Sequence, residues 1–325
     1  MGDTTYADAQ NPPSPYSGKN SRNDANSEPG SGSATPVPSS RLNRASAVSQ
    51  AKTLLQRFSG HTRPGAWHPS LDRQKVAKRL SDLVENPDGL NQGANGLCGE
   101  AAFFNVWLWE DPLAVTRFGV QLYTGGAAAV GTEEWVRPRK ALRDQNFTNV
   151  AAQFKQSNPK EFALADQWGA DWMLMSSLRD ANNRIISYDG TPTDKWGAGS
   201  TDHEMVNWLE ATKLFSSVSS SGSRQAHNFA SAAALNPRTD ILILSIDSHM
   251  LGNPENKPPE DDHDIVLRSA IIEGTNATVD FQYWSWGEPT QWINDRRTKT
   301  VQPPLPDLLK AQFTDEFFGD VVARR

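Results

Sequence analysis

The sequence contains a single cysteine, Cys98, among its 325 residues. One cysteine excludes an intramolecular disulfide and a zinc site built from several thiolates, so nothing in the sequence requires an oxidising compartment. No apolar run approaches about 18 residues, which excludes a membrane-spanning helix. No charged patch followed by a hydrophobic stretch opens the chain either, and we therefore expect no secretory signal peptide.

Long basic runs are also absent, and the formal net charge is −6. Nucleic acid as a partner therefore has no electrostatic support. We expect neither a metal ion nor an organic cofactor. Apolar residues make up 37% of the chain and there are eleven tryptophans, which suffices to build a substantial core.

The first 44 residues consist mainly of Ser, Asn, Gly, Pro and Asp, with almost no large aliphatic side chain. Such a segment cannot bury enough apolar surface to offset the entropy lost on ordering. The composition predicts a disordered leader over residues 1–44 and one folded domain over residues 45–325. The leader is either an inert solubilising tail or a flexible segment used in export or docking.

Apolar periodicity and capping residues predict helices through most of the chain. The predicted helices are Ser46 to Phe58, one with Ser70 as N-cap, Ala101 to Trp109, Pro112 to Tyr123, Glu133 to Arg143, Trp168 to Asp180, and one opened by the capping box at Thr201 and ending near Phe215.

The C-terminal third changes to the pattern of strands. Two β-branched runs predict buried strands over Ile241–Ile246 and Ile265–Ile272. After a turn, the alternating stretch from Ala277 to Trp286 should return as an antiparallel partner. The stretch Ser216–Ser223 is expected to be a loop. The predicted class is α+β, with a helical N-terminal half and a C-terminal antiparallel sheet.

Cys98 follows a glycine-rich loop and precedes the apolar helix that starts at Ala101. Glycines let the loop turn tightly, so the cysteine should lie at or next to the helix N-terminus. Free backbone N–H groups and the helix dipole there favour a thiolate, the form that attacks a carbonyl. The alternative is a free cysteine packed as a small hydrophobe.

Gln92 precedes the cysteine by six residues. Its side-chain amide could supply one donor of an oxyanion hole, with the Cys98 backbone N–H as the other. The pattern Gln-Gly-x-x-Gly-x-Cys resembles the nucleophile region of the papain-like cysteine peptidases. It departs from them at Gly99, where papain has tryptophan, and at Asn95, where many secreted members have a disulfide cysteine. The resemblance implies a papain-like fold, with the nucleophile helix packed on the sheet.

His263 lies at the start of a predicted strand, at the position in the chain where papain-like enzymes carry their base. As a neutral imidazole it would take the proton of Cys98 and later protonate the leaving amine. The alternative is a surface histidine after an acidic loop. His249 is the main rival, whereas His203 is explained by the capping box.

The stretch Trp284-Ser285-Trp286-Gly287 resembles the Asn-Ser-Trp-Gly with which these peptidases place the residue that orients the histidine. Trp284 occupies the asparagine position, and an indole can only donate a hydrogen bond. Asp264 should point to the opposite face of the strand from His263 and is not nominated. The orienting residue therefore stays open among Ser285, Gln282, Asp280 and Glu288.

The layout is similar to that of the papain-like effector toxins of bacterial secretion systems. This resemblance implies a cysteine protease that cleaves a target-cell protein through a thioester. It also implies a cognate immunity protein, a secretion adaptor, and a protein that is cytoplasmic in the producer and exported without a signal peptide. A peptidoglycan amidase, a glutamine deamidase on the same fold and a non-catalytic binding module are the alternatives.

Overall fold

The computed structural model describes residues 43–325, apart from 94–95, 132–133, 158, 161, 184–187, 195–198, 222–228 and 253–260. The predicted leader therefore lies outside the described residues, except for Asn43 and Arg44. These two belong to the folded part. The Asn43 side chain caps the first helix, and the Arg44 guanidinium donates to the carbonyls of Leu108 at 2.7 Å and Val84 at 3.0 Å.

The helices of the described residues are numbered in chain order. They are α1 (Arg44–Ser59), α2 (Arg73–Glu85), α3 (Cys98–Glu110), α4 (Pro112–Gly125), α5 (Lys140–Arg143), α6 (Phe147–Ser157), α7 (Gly169–Asn182), α8 (Asp202–Ala211), α9 (Phe229–Ala233), α10 (Ile293–Asp295) and α11 (Lys310–Glu316). None of them is long and apolar enough to cross a membrane.

Most of the predicted helices are confirmed, because their capping residues are where the sequence places them. Asp111 caps α4 with Pro112 as its first residue, and the capping box at Thr201 opens α8. Several boundaries differ by a few residues. Asp72 rather than Ser70 caps α2, and α8 ends at Ala211 instead of near Phe215.

The predicted helix from Glu133 to Arg143 is wrong over most of its length. The chain instead forms an antiparallel hairpin of β1 (Ala128–Val130) and β2 (Glu134–Val136), and only α5 is helical. Trp135 is a good strand former, and Pro138 lacks the N–H that a helix interior needs. These local preferences override the apparent helical spacing.

The remaining strands are β3 (Ser217–Ser220), β4 (Asp240–Ile246), β5 (His263–Leu267), β6 (Ile272–Glu273), β7 (Val279–Asp280), β8 (Gln282–Trp284), β9 (Gln291–Trp292) and β10 (Phe317–Arg324). Six of them form an antiparallel sheet in the order β3-β10-β4-β5-β8-β9, and β6 pairs with β7 separately.

The sheet differs from the sequence prediction in three respects. The strand predicted over Ile265–Ile272 ends at Leu267, and the predicted loop over Ser216–Ser223 contains β3. In addition, β10 from the C-terminus lies between β3 and β4, a position that the sequence analysis did not assign. The coarse prediction of an α+β chain, helical first and antiparallel afterwards, is confirmed.

The two faces of the sheet belong to two different apolar cores. Val266 and Trp284 pack with the N-terminal helices, whereas Ile265 and Tyr283 pack in the second core with Phe313 of α11. Successive residues of a strand point to opposite faces, so the register of β5 decides which of its side chains face α3. That register therefore controls the composition of the candidate site.

The short segment around Asp88 joins the helical half to the sheet. Its carboxylate accepts hydrogen bonds from Trp109 Nε1 at 2.9 Å, Thr290 Oγ1 at 2.9 Å and Arg268 at 3.3 Å. Its backbone carbonyl accepts from Trp284 Nε1 at 2.8 Å. The Trp284 indole is thus a donor that holds this segment.

Replacing Asp88 by alanine should lower the free energy of unfolding by roughly 3 kcal/mol, because several partly buried donors lose their acceptor. Urea unfolding followed by tryptophan fluorescence measures the change. Asp144 is the matched control, since its ion pair with Lys140 is exposed, and Asp144→Ala should cost no more than about 0.5 kcal/mol. Equal effects of the two substitutions would contradict the role of Asp88.

Candidate functional site

Cys98 is the first residue of α3, as the sequence predicts. The helix begins there because Leu97 accepts the first helical hydrogen bond, from the N–H of Ala101 at 2.9 Å. The N-cap residue of α3, Leu97, makes no side-chain capping hydrogen bond, because its apolar side chain offers no acceptor. The cysteine is partly buried.

The loop before the cysteine is held by an ion pair between two helices. Arg79 Nε donates to Asp171 Oδ2 at 2.7 Å, and a second guanidinium nitrogen donates to the carbonyl of Gly89 at 2.6 Å. Asp171 Oδ1 also accepts from the backbone N–H of Asn91 at 3.0 Å. This network fixes the backbone directly before Gln92.

The Cys98 thiol donates a hydrogen bond to Asp264 of β5, with Sγ 3.4 Å from Oδ2. The other oxygen of this carboxyl group accepts from Ser245 Oγ on β4 at 2.8 Å. Ser245 Oγ also lies 3.3 Å from Oδ1 of Asp202, the first residue of α8. The N-termini of α3 and α8 therefore meet at one buried carboxyl group.

Gly99 allows this close approach. A Cβ atom at residue 99 would lie 1.8 Å from Ser200 Oγ and 3.2 Å from Asp264 Oδ2. A side chain at residue 99 would therefore require Ser200 to move, because the hydroxyl of Ser200 fills the space.

His263 lies on the other face of β5. In the register of the sheet, His263 is opposite Ile246 and Asp264 is opposite Ser245. Its Nε2 is 2.5 Å from Ser285 Oγ, and its ring is stacked on Trp286 with centroids 4.2 Å apart. The structure therefore brings Asp264 to the thiol and places His263 with Ser285, one of the orienting residues that the sequence left open.

The surroundings of His263 keep its imidazole neutral. Burial lowers its pKa to about 3, and the positive charge of Arg296 contributes in the same direction. The guanidinium of Arg296 covers the far side of Trp286, 5.3 Å from the ring centroid. Trp286 itself has φ 51°, a strained value for a bulky residue, which the packing of these neighbours maintains.

The other histidines considered in the sequence lie elsewhere. His249 Nδ1 is 2.9 Å from Glu316 Oε1 of α11, and His203 is exposed on α8. Neither is shown in contact with Cys98 within the described part of the chain. The rival assignment of His249 as base gains no geometric support.

Gln92 is buried beside a small cavity of about 10 Å³, room for one water molecule. Cys98 is not among the described residues that line it, and within that part of the chain Gln92 Oε1 has no hydrogen-bond partner. The role of Gln92 as an oxyanion donor stays a prediction. The aromatic lining consists of Phe147, Phe154, Trp168 and Trp172.

The electrostatics of the thiol differ from the sequence-based expectation. Burial raises the pKa of Cys98 well above its usual value, and the carboxylates of Asp264 and Glu100 add to the rise. A backbone hydrogen bond from Asp264 lowers the pKa of Cys98 but does not offset these causes, so the thiol form is favoured. Burial also raises the pKa of Asp264 to about 7, with Asp261 and Asp202 adding to the rise and the Ser245 hydrogen bond opposing it.

A second buried carboxyl group, that of Glu100, lies in the first turn of α3. Glu100 Oε1 is 3.4 Å from Arg179, which also bonds Glu204 at 2.9 Å and the carbonyl of Gly199 at 2.6 Å. Burial raises the pKa of Glu100 to about 7 although Arg179 opposes the shift. Sequence reasoning missed this group, and the available signal was a charged residue at the start of an otherwise apolar helix.

The arrangement can move a proton between a thiol and a carboxyl group that titrates near neutral pH. Among the described residues, no group of three His, Cys, Asp or Glu is placed to hold a metal ion. The sequence does not identify Asp264 as a site residue, because only the register of β5 against β4 shows which face of β5 meets α3.

The raised pKa of Glu100 predicts a pH-dependent effect of Glu100→Gln on stability. The folded pKa of about 7 exceeds the unfolded value of 4.5, so the protonated group favours the folded state at low pH and this contribution is lost as pH rises through 7. Glu100→Gln should therefore stabilise the protein at pH 8 relative to wild type, by an amount that shrinks towards pH 4.5. Urea unfolding across this range measures it, and a pH-independent difference would contradict it.

No protein-family model, curated protein or solved structure matches this chain. The chemistry of the site must therefore be read from its own residues.

Proposed function

We propose that this protein is a cysteine hydrolase of papain-like architecture that cleaves amide bonds through a thioester on Cys98. The observation that carries the proposal is the hydrogen bond of 3.4 Å between Cys98 Sγ, at the start of α3, and the buried carboxyl group of Asp264. A nucleophile within hydrogen-bond distance of a proton acceptor, itself held by a third group, is the arrangement that nucleophilic catalysis uses.

The reaction follows from this arrangement. Sulfur attacks the substrate carbonyl carbon as the thiol loses its proton, and the resulting oxyanion needs two donors. The Cys98 backbone N–H and the Gln92 side-chain amide are the proposed donors. Loss of the amine leaves a thioester, which water then hydrolyses to regenerate the thiol.

The papain-like architecture is supported by the layout. A nucleophile helix contacts β5 on one face of an antiparallel sheet, and a Trp-Gly pair follows β8. Gly287 of this pair has φ 75°, and a Cβ atom there would lie 2.8 Å from the Leu90 carbonyl. The pair thus packs on the loop that leads to Gln92, which links the two stretches that carry the family resemblance.

The role as an effector rests on the sequence resemblance. It makes a protein of a target cell the proposed substrate, with an immunity protein and a secretion adaptor as partners. A peptidoglycan amidase or a glutamine deamidase would use the same thioester step and would differ only in substrate.

One observation favours a non-catalytic binding module as the second candidate. His263 lies on the far face of β5, and the raised pKa of Cys98 keeps the thiol protonated at rest. A protein that had lost its catalytic base would look like this. The two candidates differ in whether the thiol is needed for activity.

Cys98→Ala should abolish activity and leave the fold intact, because one small side chain replaces another. Wild type and variant are expressed separately in the bacterial cytoplasm and periplasm, and hydrolysis of fluorescently labelled casein is measured with the purified proteins. Wild type should arrest growth in one compartment and cleave casein, and the variant should do neither at an unchanged urea midpoint. Full activity of the alanine variant would leave only the binding module.

Gln92→Ala should lower kcat by about 10²- to 10³-fold, the usual effect of removing one oxyanion donor. Casein hydrolysis measures the change. Gln153→Ala is the matched control, since Gln153 is exposed on α6. If Gln92→Ala is as active as the control, the oxyanion role of Gln92 is wrong.

A further inference from the structure

We infer that Asp264, and not His263, takes the proton from Cys98 and delivers it to the leaving amine. The inference rests on the proposed function and names the acid–base group of that site. The first argument is geometric, because Asp264 contacts the reacting sulfur while His263 faces the second apolar core. Two adjacent residues of one strand cannot both point at the same helix.

A hydrogen bond from a neighbouring strand fixes the orientation of the Asp264 carboxyl group. Ser245 on β4 donates to Oδ1, so Oδ2 stays directed at the thiol. Ser245 is therefore a positioning residue. Because the hydrogen bond from Ser245 crosses between neighbouring strands, the sheet itself fixes the orientation of the carboxyl group.

The charges around Asp264 keep it able to exchange a proton near neutral pH. Asp202 faces it from the start of α8, Asp261 from the segment before β5, and Glu100 from α3. Arg179 lies behind Glu100 and partly offsets the negative charge. A carboxyl group in such surroundings can be a base in one step and an acid in the next.

The steps balance for an amide substrate. The S–H bond breaks, its proton goes to Asp264 Oδ2, and the electron pair on sulfur forms the C–S bond. When the C–N bond breaks, the Asp264 carboxylic acid protonates the leaving nitrogen. Water then attacks the thioester while the Asp264 carboxylate takes one proton from it, and the thiolate that leaves recovers that proton from Asp264.

His263 is occupied by other contacts. Its Nε2 is engaged by Ser285 Oγ, and Trp286 covers the ring. The exposed fraction of His263 is only 4%. The imidazole is thus a neutral buried group that packs against the two residues that follow β8. The sequence resemblance identifies the correct strand but not the side chain that faces the nucleophile.

The test uses the full chain and two probes that differ in leaving group. Amide cleavage in labelled casein needs a proton for the leaving amine, whereas p-nitrophenyl acetate releases a phenolate that needs none. Asp264→Asn should lower kcat/KM for casein by about 10²- to 10⁴-fold and for the ester by a smaller factor, because the ester still needs the base but needs no acid at its leaving group. Iodoacetamide reports on the thiol alone because Cys98 is the only cysteine, and its alkylation near neutral pH should become slower in the variant, since the thiol has lost its proton acceptor.

The matched variants are His263→Gln and Asp262→Asn. They change the two residues that precede Asp264 in the chain and leave its carboxyl group in place. Both should retain casein hydrolysis and a pH profile of kcat/KM that rises with an apparent pKa about 7. That rise should be absent from Asp264→Asn. Wild-type casein hydrolysis by Asp264→Asn, an equal loss on ester and amide, or alkylation at the wild-type rate would overturn the inference. Full activity of Cys98→Ala would instead reject the proposed function.

Discussion

Helix α3 is apolar around its whole circumference, and a helix of this kind is stable only when other elements cover it on every side. The helices α4, α7 and α8 and the strand β5 provide that cover. Because the cysteine is the first residue of this helix, burial of the helix draws the thiol into the boundary between the helical half and the sheet. Every other property of the candidate site follows from that boundary.

Burial shifts the pKa values of the groups at this boundary in the direction that favours their neutral forms. The pKa values of Asp264 and Glu100 rise to about 7, and that of His263 falls to about 3. A carboxyl group here titrates where a histidine ordinarily would, and the histidine does not titrate in that range. A buried carboxyl group can therefore supply acid–base chemistry near neutral pH, which an exposed carboxyl group could not.

The sequence was sufficient for the parts of the fold that depend on local chemistry. Asp111, Thr201 and the apolar stripe of α2 specify helices through caps and spacing, which neighbours in sequence determine. The position of β10 between β3 and β4 depends on partners distant in the chain, and no local pattern contains that information. The hairpin of β1 and β2 pairs segments close in sequence, and it was assigned wrongly because the apparent helical spacing hid the strand preference of Trp135 and the effect of Pro138.

The residues of the candidate site also differ in whether local sequence or distant pairing determines their position. The position of Cys98 at a helix start could be predicted because glycines and apolar residues around it determine that start. The choice between His263 and Asp264 depends on strand parity, and parity is set by pairing with β4, where Ser245 and Ile246 decide the faces. A shift of one residue exchanges the two faces, so no motif could have settled this choice.

The raised pKa of Cys98 also affects how readily its thiol is oxidised. Peroxides and metal ions react with thiolates much faster than with thiols, so a cysteine kept protonated resists oxidation. In the proposed mechanism, Cys98 acquires anionic character only while its proton is on Asp264 and a substrate carbonyl is in reach. In that mechanism the cysteine resists oxidation at rest and becomes reactive only when substrate is bound.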